Sequence, residues 1–185
     1  DPWIALTAIA MNTKRIRMGT LVTPLPRRRP WKVAREAVSL DHLSNGRFTL
    51  GVGIGAGSAE FECFGEPSDL RVRAEMLDEG LEIIDGLWRG EPFSYNGKHF
   101  KIQQTVFLPR PVQNPRIPIW VAALWPNRAP FRRAAHWDGV FPRPDFRKIP
   151  LSPNRLLPPV PHEQMKEIIS YVRQHLSKNR SFDFV

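Results

Sequence analysis

Residues 41–55 constrain the fold of this chain more than any other stretch, because they read in direct succession as a helix end, a buried strand and a glycine-rich strand exit. Asn45-Gly46 can take the left-handed conformation that ends a helix. Residues 48–52 then form a mostly apolar run of strand length. Three glycines leave little side chain where that strand ends, namely Gly51, Gly53 and Gly55.

Glycines at a strand exit have two uses. Ligands of α/β folds bind outside the carboxyl ends of the strands, so a backbone without side chains there indicates the close approach of something flat or phosphorylated. Tight packing of a helix on the strand is the other use of glycine in a strand. The sequence leaves both open.

Length and cysteine content place the chain among ordinary globular proteins. Its 185 residues predict a single domain, residues 1–185. The single cysteine, Cys63, rules out an internal disulfide framework and is expected to be an inert buried thiol. Because residues 1–15 lack a signal-peptide pattern and no apolar run reaches 18 residues, we expect a cytoplasmic protein without a membrane span.

The net charge of +9 raises the question of a nucleic-acid partner. The excess is largely arginine at predicted loops and turns, with no basic helix stripe, so we expect a solvated surface instead, or an anion-binding pocket. The three consecutive arginines at 27–29 lie either on a solvated loop or at the mouth of a pocket. For Arg71 and Arg73 the sequence leaves two alternatives open: each side chain either reaches a phosphate or faces solvent. The five histidines show no metal-ligand spacing, so no metal site is expected.

Helices and strands alternate along nearly the whole chain. Asp1 caps a first helix with Ile4, Ala8 and Met11 along one side, and residues 24–30 are too proline-rich for a helix or a central strand. A hairpin around Asn96-Gly97 lies in a proline-rich insertion at about 91–118, and a long proline-rich loop precedes the last helix. Further helices are predicted at 31–43, 70–88, 127–136 and 162–176, and strands at 16–23, 48–52, 119–123, 139–141 and 182–185.

This alternation predicts an α/β fold with a parallel sheet and right-handed crossovers. An open doubly wound sheet and a (β/α)8 TIM barrel both satisfy it. A complete barrel needs about 250 residues, and here a helix opens the chain and a strand closes it. We therefore expect a partial barrel of about five strands, lacking the first two and the last.

Four segments, in order, carry a family resemblance. They are GTLVTPLPRRRPWKVARE (19–36), LDHLSNGR (40–47) followed by GVG (51–53), RPVQNPRIPIWV (110–121) and WDGVF (137–141). Together they resemble the bacterial luciferase-like superfamily over nearly the whole chain. The resemblance implies a (β/α)8 barrel that binds FMN, or in a sister branch a deazaflavin coenzyme, at the carboxyl ends of its strands.

The resemblance also implies an activity. Family members oxidise small organic substrates, many with oxygen, and the flavin carries the chemistry while the protein orients it and excludes water. This suits a sequence without an acid–base pair or nucleophile motif, so the catalytic residues stay unassigned. A small-molecule substrate and a homo-oligomer are the expected partners. The alternative is a catalytically inactive, truncated barrel segment that serves as a flavin-binding or dimerising module.

Position by position, the resemblance marks cofactor-binding residues. Leu21-Val22 falls where luciferase-like proteins often hold a non-prolyl cis peptide against the flavin ring. Ile54 replaces a phosphate-binding arginine of luciferase, so phosphate binding would rest on backbone groups between the end of the 119–123 strand and the start of the 127–136 helix. The cofactor set is Leu21, Val22, Thr23, Gly53, Ile54, Gly55, Ala123, Leu124 and Trp125. Trp125 is the best tryptophan to touch a ligand, and the core is expected to hold Trp31, Trp88, Trp120 and Trp137.

Overall fold

The computed structural model describes residues 1–144, 159–177 and 181–185. The proline-rich loop predicted before the last helix lies largely outside these residues. Residues 1–117 and residues 118–185 form two compact units.

The first unit alternates helices with short parallel strands. Its elements are α1 (Pro2–Asn12), β1 (Met18–Gly19), β2 (Thr23–Pro24), a 3₁₀ helix (Leu25–Arg27), α2 (Pro30–Ser44), β3 (Phe48–Gly53), α3 (Ser58–Glu62), α4 (Leu70–Trp88), β4 (Phe93–Asn96) and β5 (Lys101–Thr105). Both β1 and β2 pair in parallel with β3, which places Met18 opposite Phe48 and Thr23 opposite Val52. Every residue of β3 is buried, as expected of a central parallel strand.

The prediction of one continuous strand over residues 16–23 is wrong, because Thr20 interrupts it. The Thr20 hydroxyl donates to the Gly51 carbonyl at 2.7 Å and accepts from the Gly51 amide at 3.1 Å, so a side chain takes over the hydrogen bonds of the ladder. A Cβ atom on Gly51 would lie 1.9 Å from the Thr20 carbonyl oxygen. The 24–30 segment also differs from expectation, since Pro24 belongs to β2 and a 3₁₀ helix follows it.

Helix α1 begins as predicted but buries a different side. The Asp1 carboxylate accepts a hydrogen bond from the Trp3 amide at 2.8 Å. The buried residues are Trp3 and Ala10, and the Trp3 ring packs against Phe48 with 5.5 Å between centroids. The side predicted from periodicity faces outward, with Ile4 73% and Met11 70% exposed.

Helices α2 and α4 are present as predicted, and each buries one apolar face. Val33, Ala37 and Leu40 of α2 are buried. The Asp69 carboxylate caps α4 by accepting the Arg71 and Val72 amides. The apolar stripe of α4 is fully buried, at Leu77, Leu81, Ile84 and Trp88.

The junction of α2 and β3 joins two of the sequence motifs. Asn45 takes the left-handed conformation at φ 54°, as predicted. The buried Asp41 carboxylate accepts from the Val112 amide at 2.8 Å, from the Gln113 amide at 3.2 Å and from Gln113 Nε2 at 2.7 Å. Gln113 Nε2 also donates to the Phe48 carbonyl. Residues 112 and 113 are therefore tied to the end of α2 and the start of β3.

Arg47 has a structural role next to this junction. Its guanidinium donates to backbone carbonyls of Ala10, Thr13, Ile16 and Ser44. These bonds hold the end of α1 and the following loop against the amino end of β3.

The predicted hairpin is present, and α4 anchors it. Strands β4 and β5 are antiparallel, with Asn96 opposite Lys101, so residues 97–100 form the connecting loop. Glu79 of α4 accepts the three backbone amides of residues 98–100.

A second carboxylate of α4 binds the same loop. Hydrogen bonds from Lys98 and from His99 lower the pKa of Glu75 to about 2. The Tyr95 hydroxyl donates to Glu82, about two turns after Glu75 along α4. Burial together with the Glu82 carboxylate raises the pKa of Tyr95. The insertion is thus attached to the helix by carboxylates as well as by packing.

The second unit is also parallel α/β. Its described elements are β6 (Ile119–Trp125), α5 (Arg128–Ala134), β7 (Gly139–Pro144), α6 (His162–Arg173) and β8 (Asp183–Phe184). Strand β7 pairs in parallel with both β6 and β8. Both β6 and β7 run further than predicted, because their pairing continues to Trp125 opposite Pro144. Among the described residues, no helix combines the length and the apolar composition that crossing a membrane requires.

Candidate functional site

A cavity of about 340 Å³ opens between α1 and the segment that runs from the carboxyl end of β1 through β2. Three of the residues predicted to bind a cofactor line it, namely Leu21, Val22 and Thr23, and the bond between the first two is cis, as the resemblance implies. The remaining lining is Pro2, Trp3, Ala5, Leu6, Gly19, Thr20, Pro24 and Arg28. The volume lies in the range of about 300–1,000 Å³ typical of small-molecule sites.

Thr23 lines this cavity and carries a buried, unpaired hydroxyl. Thr23 is 3% exposed, and its Oγ1 has no hydrogen-bond partner among the described residues. Thr20, three positions earlier, is also buried, but its hydroxyl bonds to both backbone groups of Gly51. A buried polar atom left unpaired costs about 1–3 kcal/mol. The Thr23 oxygen is sealed from solvent, so a polar ligand atom in the cavity would satisfy it only after a local shift of the cavity lining.

Arg73 is the second incompletely paired polar group of the first unit. It lies in the first turn of α4, is 1% exposed, and its Nε has no hydrogen-bond partner among the described residues. Its Nη1 donates to the Ile54 carbonyl over a long 3.4 Å, just beyond the end of β3. Burial lowers the pKa of Arg73, and the charge of Asp69 opposes that shift.

The structure shows which of these two arginines is buried and which faces solvent, a question that the sequence left open. Arg71 is exposed and its Nε lies 3.5 Å from the Glu75 carboxylate. Arg73 turns inward, where its guanidinium carbon lies 4.0 Å from the centre of the Phe61 ring. Position near a helix start could not separate them, because only the packing of α3 against α4 makes one buried and the other exposed.

The strand-exit glycines make room for protein atoms at two of three positions. The space beside Gly51 is taken by Thr20, and Gly55, at φ +80°, faces the Phe61 ring 2.5 Å from where a Cβ would stand. The packing use of glycine thus explains both. Gly53 is buried opposite Pro24 in the β2–β3 pair.

In the second unit, Ala123, Leu124 and Trp125 end β6 beside the end of β7. Trp125 is only 5% exposed. Its ring packs edge-to-face on Phe131, and the Arg128 guanidinium carbon lies 4.4 Å from its centre. The side chain is therefore part of the packing of this unit.

The start of α5 has few free backbone donors for a phosphate. The Asn127 side chain already accepts the Ala129 amide. Pro130 follows and has no N–H. Within the described part of the second unit, the backbone after β6 is poorly equipped for the role the resemblance suggested.

Two further expectations need correction. Cys63 is exposed, not buried, because it follows the short α3 on the surface. Of the four tryptophans expected in the core, Trp88 is fully buried, while Trp31 is 38% exposed and the other two, Trp120 and Trp137, are half-buried. Over the described ranges, no group of three or more His, Cys, Asp or Glu side chains is arranged to hold a metal ion.

Comparison with known proteins gives a family match. The model of the family described as luciferase-like monooxygenase matches residues 1–149. A curated relative, the oxygenase component of the flavin-dependent trigonelline monooxygenase of Acinetobacter baylyi, is 36% identical over 131 residues, which are 71% of this chain and 36% of the relative.

Solved structures agree in fold. The monooxygenase RslO1 from Streptomyces bottropensis is 29% identical, with a TM-score of 0.75 over 95% of this chain and 49% of its own. The coenzyme F420 dependent tetrahydromethanopterin reductase from Methanopyrus kandleri is 26% identical, with a TM-score of 0.67 over 76% of this chain and 44% of its own. The predicted fold class, α/β of the (β/α)8 TIM-barrel type, is confirmed, and the chain spans half or less of each of these proteins.

Proposed function

The chain belongs to the luciferase-like monooxygenase family, and on that premise we propose that it is a flavin-dependent oxidoreductase of the monooxygenase type, acting on a small organic substrate with FMN as cofactor. The family assignment confirms the resemblance found in the sequence. The relatives described above are enzymes by name, so they lend no support to the alternative of an inactive flavin-binding or dimerising segment.

One observation carries the proposal. Among the described residues, two buried side-chain polar atoms lack a hydrogen-bond partner, Thr23 Oγ1 and Arg73 Nε. Both lie near the carboxyl end of β3, since Thr23 pairs with Val52 and Arg73 reaches the Ile54 carbonyl. A flavin mononucleotide has a ring system with polar edges and a doubly charged phosphate. A neutral hydroxyl beside an apolar cavity and a separate buried cation suit these two parts.

The residues of this chain then have distinct roles. The apolar side chains of the cavity, Trp3, Leu6 and Val22 among them, would enclose the ring and exclude water. The Thr23 hydroxyl would hydrogen-bond a ring heteroatom and so fix its orientation. Arg73 would hold the phosphate by charge-assisted hydrogen bonds, which are stronger than neutral ones. The bound flavin would supply the redox chemistry.

A binding assay with matched ligands tests these roles. We expect the fluorescence of FMN to be quenched when it binds the full chain. Arg73→Gln should weaken FMN binding by about 10–150-fold, which is the range for the loss of a hydrogen bond to a charged group. Riboflavin, which lacks the phosphate, should bind the variant and the parent alike. Arg71→Gln, two positions away in the same turn, is the control and should change neither affinity.

Thr23→Val isolates the ring contact. It removes the hydroxyl at nearly constant volume and should weaken FMN and riboflavin equally, by about 2–10-fold. If FMN and riboflavin bind the parent with the same affinity, the phosphate assignment fails. If neither binds, the flavin proposal fails for this chain.

The same assay distinguishes the cofactors. Coenzyme F420, named in the reductase from Methanopyrus kandleri, is the deazaflavin alternative. Tighter binding of F420 than of FMN would replace FMN in the proposal. For the activity, photoreduced FMN and oxygen are supplied with a panel of small organic substrates, and substrate-dependent product formation by mass spectrometry is the expected result.

A further inference from the structure

Arg73 is covered by a short element that few contacts hold down. Helix α3 has five residues, and Phe61 is its one buried side chain. Phe61 is 1% exposed and its ring lies against the Arg73 guanidinium. Since Arg73 itself is 1% exposed, an anion can reach its guanidinium only after part of this cover moves.

A second arginine fastens the cover from the other side. Arg27, at the end of the 3₁₀ helix, donates from Nη1 to Glu60 at 2.6 Å and from Nε to Glu66 at 2.5 Å. Its guanidinium carbon also lies 5.1 Å from the Phe61 ring and 5.5 Å from the Phe64 ring. These contacts bind α3 and the residues directly after it to the 3₁₀ helix that follows β2.

The charges around the two arginines differ. Arg27 pairs with two carboxylates, and although burial lowers its pKa, the hydrogen bond that it donates to Glu66 and the charges of both carboxylates leave the pKa raised. Arg73 has no carboxylate in an ion pair among the described residues. The cover is therefore fastened by a neutralised cation, while the cation beneath it keeps its charge for an incoming anion.

Elements with few buried apolar contacts open most readily. Helix α3 meets this description, with one buried side chain and ion pairs whose members are partly exposed, Glu60 by 61% and Glu66 by 29%. We propose that α3 is a cap over Arg73, that Arg27 latches it through Glu60 and Glu66, and that a phosphate group gains access to Arg73 when this latch opens. The inference rests on the proposed binding of the FMN phosphate by Arg73.

Stopped-flow flavin fluorescence on the full chain tests the latch. Arg27→Met removes both hydrogen bonds and keeps an apolar stem against the rings. It should raise both the association and the dissociation rate constants of FMN by about 3–10-fold, the effect of losing partly exposed ion pairs, and leave those of riboflavin unchanged. Arg29→Met is the control, because Arg29 is an exposed neighbour of equal charge.

The double variant Glu60→Gln/Glu66→Gln opens the latch from the acidic side. It changes the net charge in the opposite direction to Arg27→Met, so long-range attraction of the phosphate would shift the two association rates in opposite senses. The latch requires both variants to associate faster. The double variant also keeps the proposal testable if Arg27→Met fails to fold.

The outcomes separate the two proposals. If both latch variants match Arg29→Met within about twofold while Arg73→Gln still loses FMN selectively, the cap is overturned and the phosphate assignment stands. If Arg73→Gln binds FMN as the parent does, the phosphate assignment and the cap fall together. Faster FMN kinetics in both latch variants, without change for riboflavin, supports the cap.

Discussion

Breaking the hydrogen bonds between Asp41 and Gln113 should strongly destabilise the protein, although neither residue lines the candidate cavity. Asp41 is completely buried and accepts three hydrogen bonds, from the amides of Val112 and Gln113 and from Gln113 Nε2. Asp41→Ala strands two backbone donors that water reaches only in part. At about 1–3 kcal/mol for each unsatisfied donor, we expect a loss of about 2–4 kcal/mol.

The partner variant and the pair complete a thermodynamic cycle. Gln113→Ala removes the bonds from Nε2 to Asp41 and to the Phe48 carbonyl, and should cost about 1.5–3 kcal/mol. Because each single variant already loses the shared bond, the double variant should be less destabilised than the sum, by about 0.5–3 kcal/mol.

Urea denaturation followed by tryptophan fluorescence and by circular dichroism measures these free energies of unfolding. Gln104→Ala, an exposed glutamine of β5, is the control and should stay within about 0.5 kcal/mol of the parent. Additivity of Asp41→Ala and Gln113→Ala within about 0.3 kcal/mol, or a loss under about 1 kcal/mol for Asp41→Ala, would refute the reasoning.

Three other substitutions probe the first unit. Gly51→Ala should cost at least about 1–3 kcal/mol, because its Cβ would meet the Thr20 carbonyl oxygen at 1.9 Å, and a normal urea midpoint would contradict the strand packing. Glu75→Gln should lower stability at pH 7: the pKa of Glu75 falls from 4.5 to about 2 on folding, so its stabilisation is present above pH 4.5 and lost as the pH falls towards 2, where parent and variant should converge in midpoint. Leu81→Ala, at a fully buried position of α4, should cost about 2–5 kcal/mol with an unchanged m-value, and a smaller loss would show that the helix repacks.

The helices were the most predictable elements. The stripe of α4 recurs with the helical period and Asp69 caps its start, so the start and the inner face follow from residues in the helix or directly before it. The prediction of a continuous strand over residues 16–23 was wrong because its interruption depends on residues far apart in the chain. Its interruption depends on a bond between Thr20 and Gly51, two residues 31 positions apart.

The candidate site divides in the same way. The resemblance marked Thr23, but its unpaired hydroxyl follows from the surrounding packing. Arg73 could not be separated from Arg71 by sequence, because one helical position decides which side chain faces the Phe61 ring. Trp125 was expected near a ligand, but the aromatic side chains of its own unit enclose it.

By itself, the sequence determined the α/β class, the family and the positions of most helices, because caps, glycine stops and apolar periodicity act between residues close in the chain. Tertiary structure alone decided which polar groups are left unpaired in the interior. Burial and hydrogen bonding of a side chain depend on atoms brought from distant positions, as Phe61 is brought over Arg73 and Gln113 to Asp41. The polar groups proposed to bind the flavin belong to this second class.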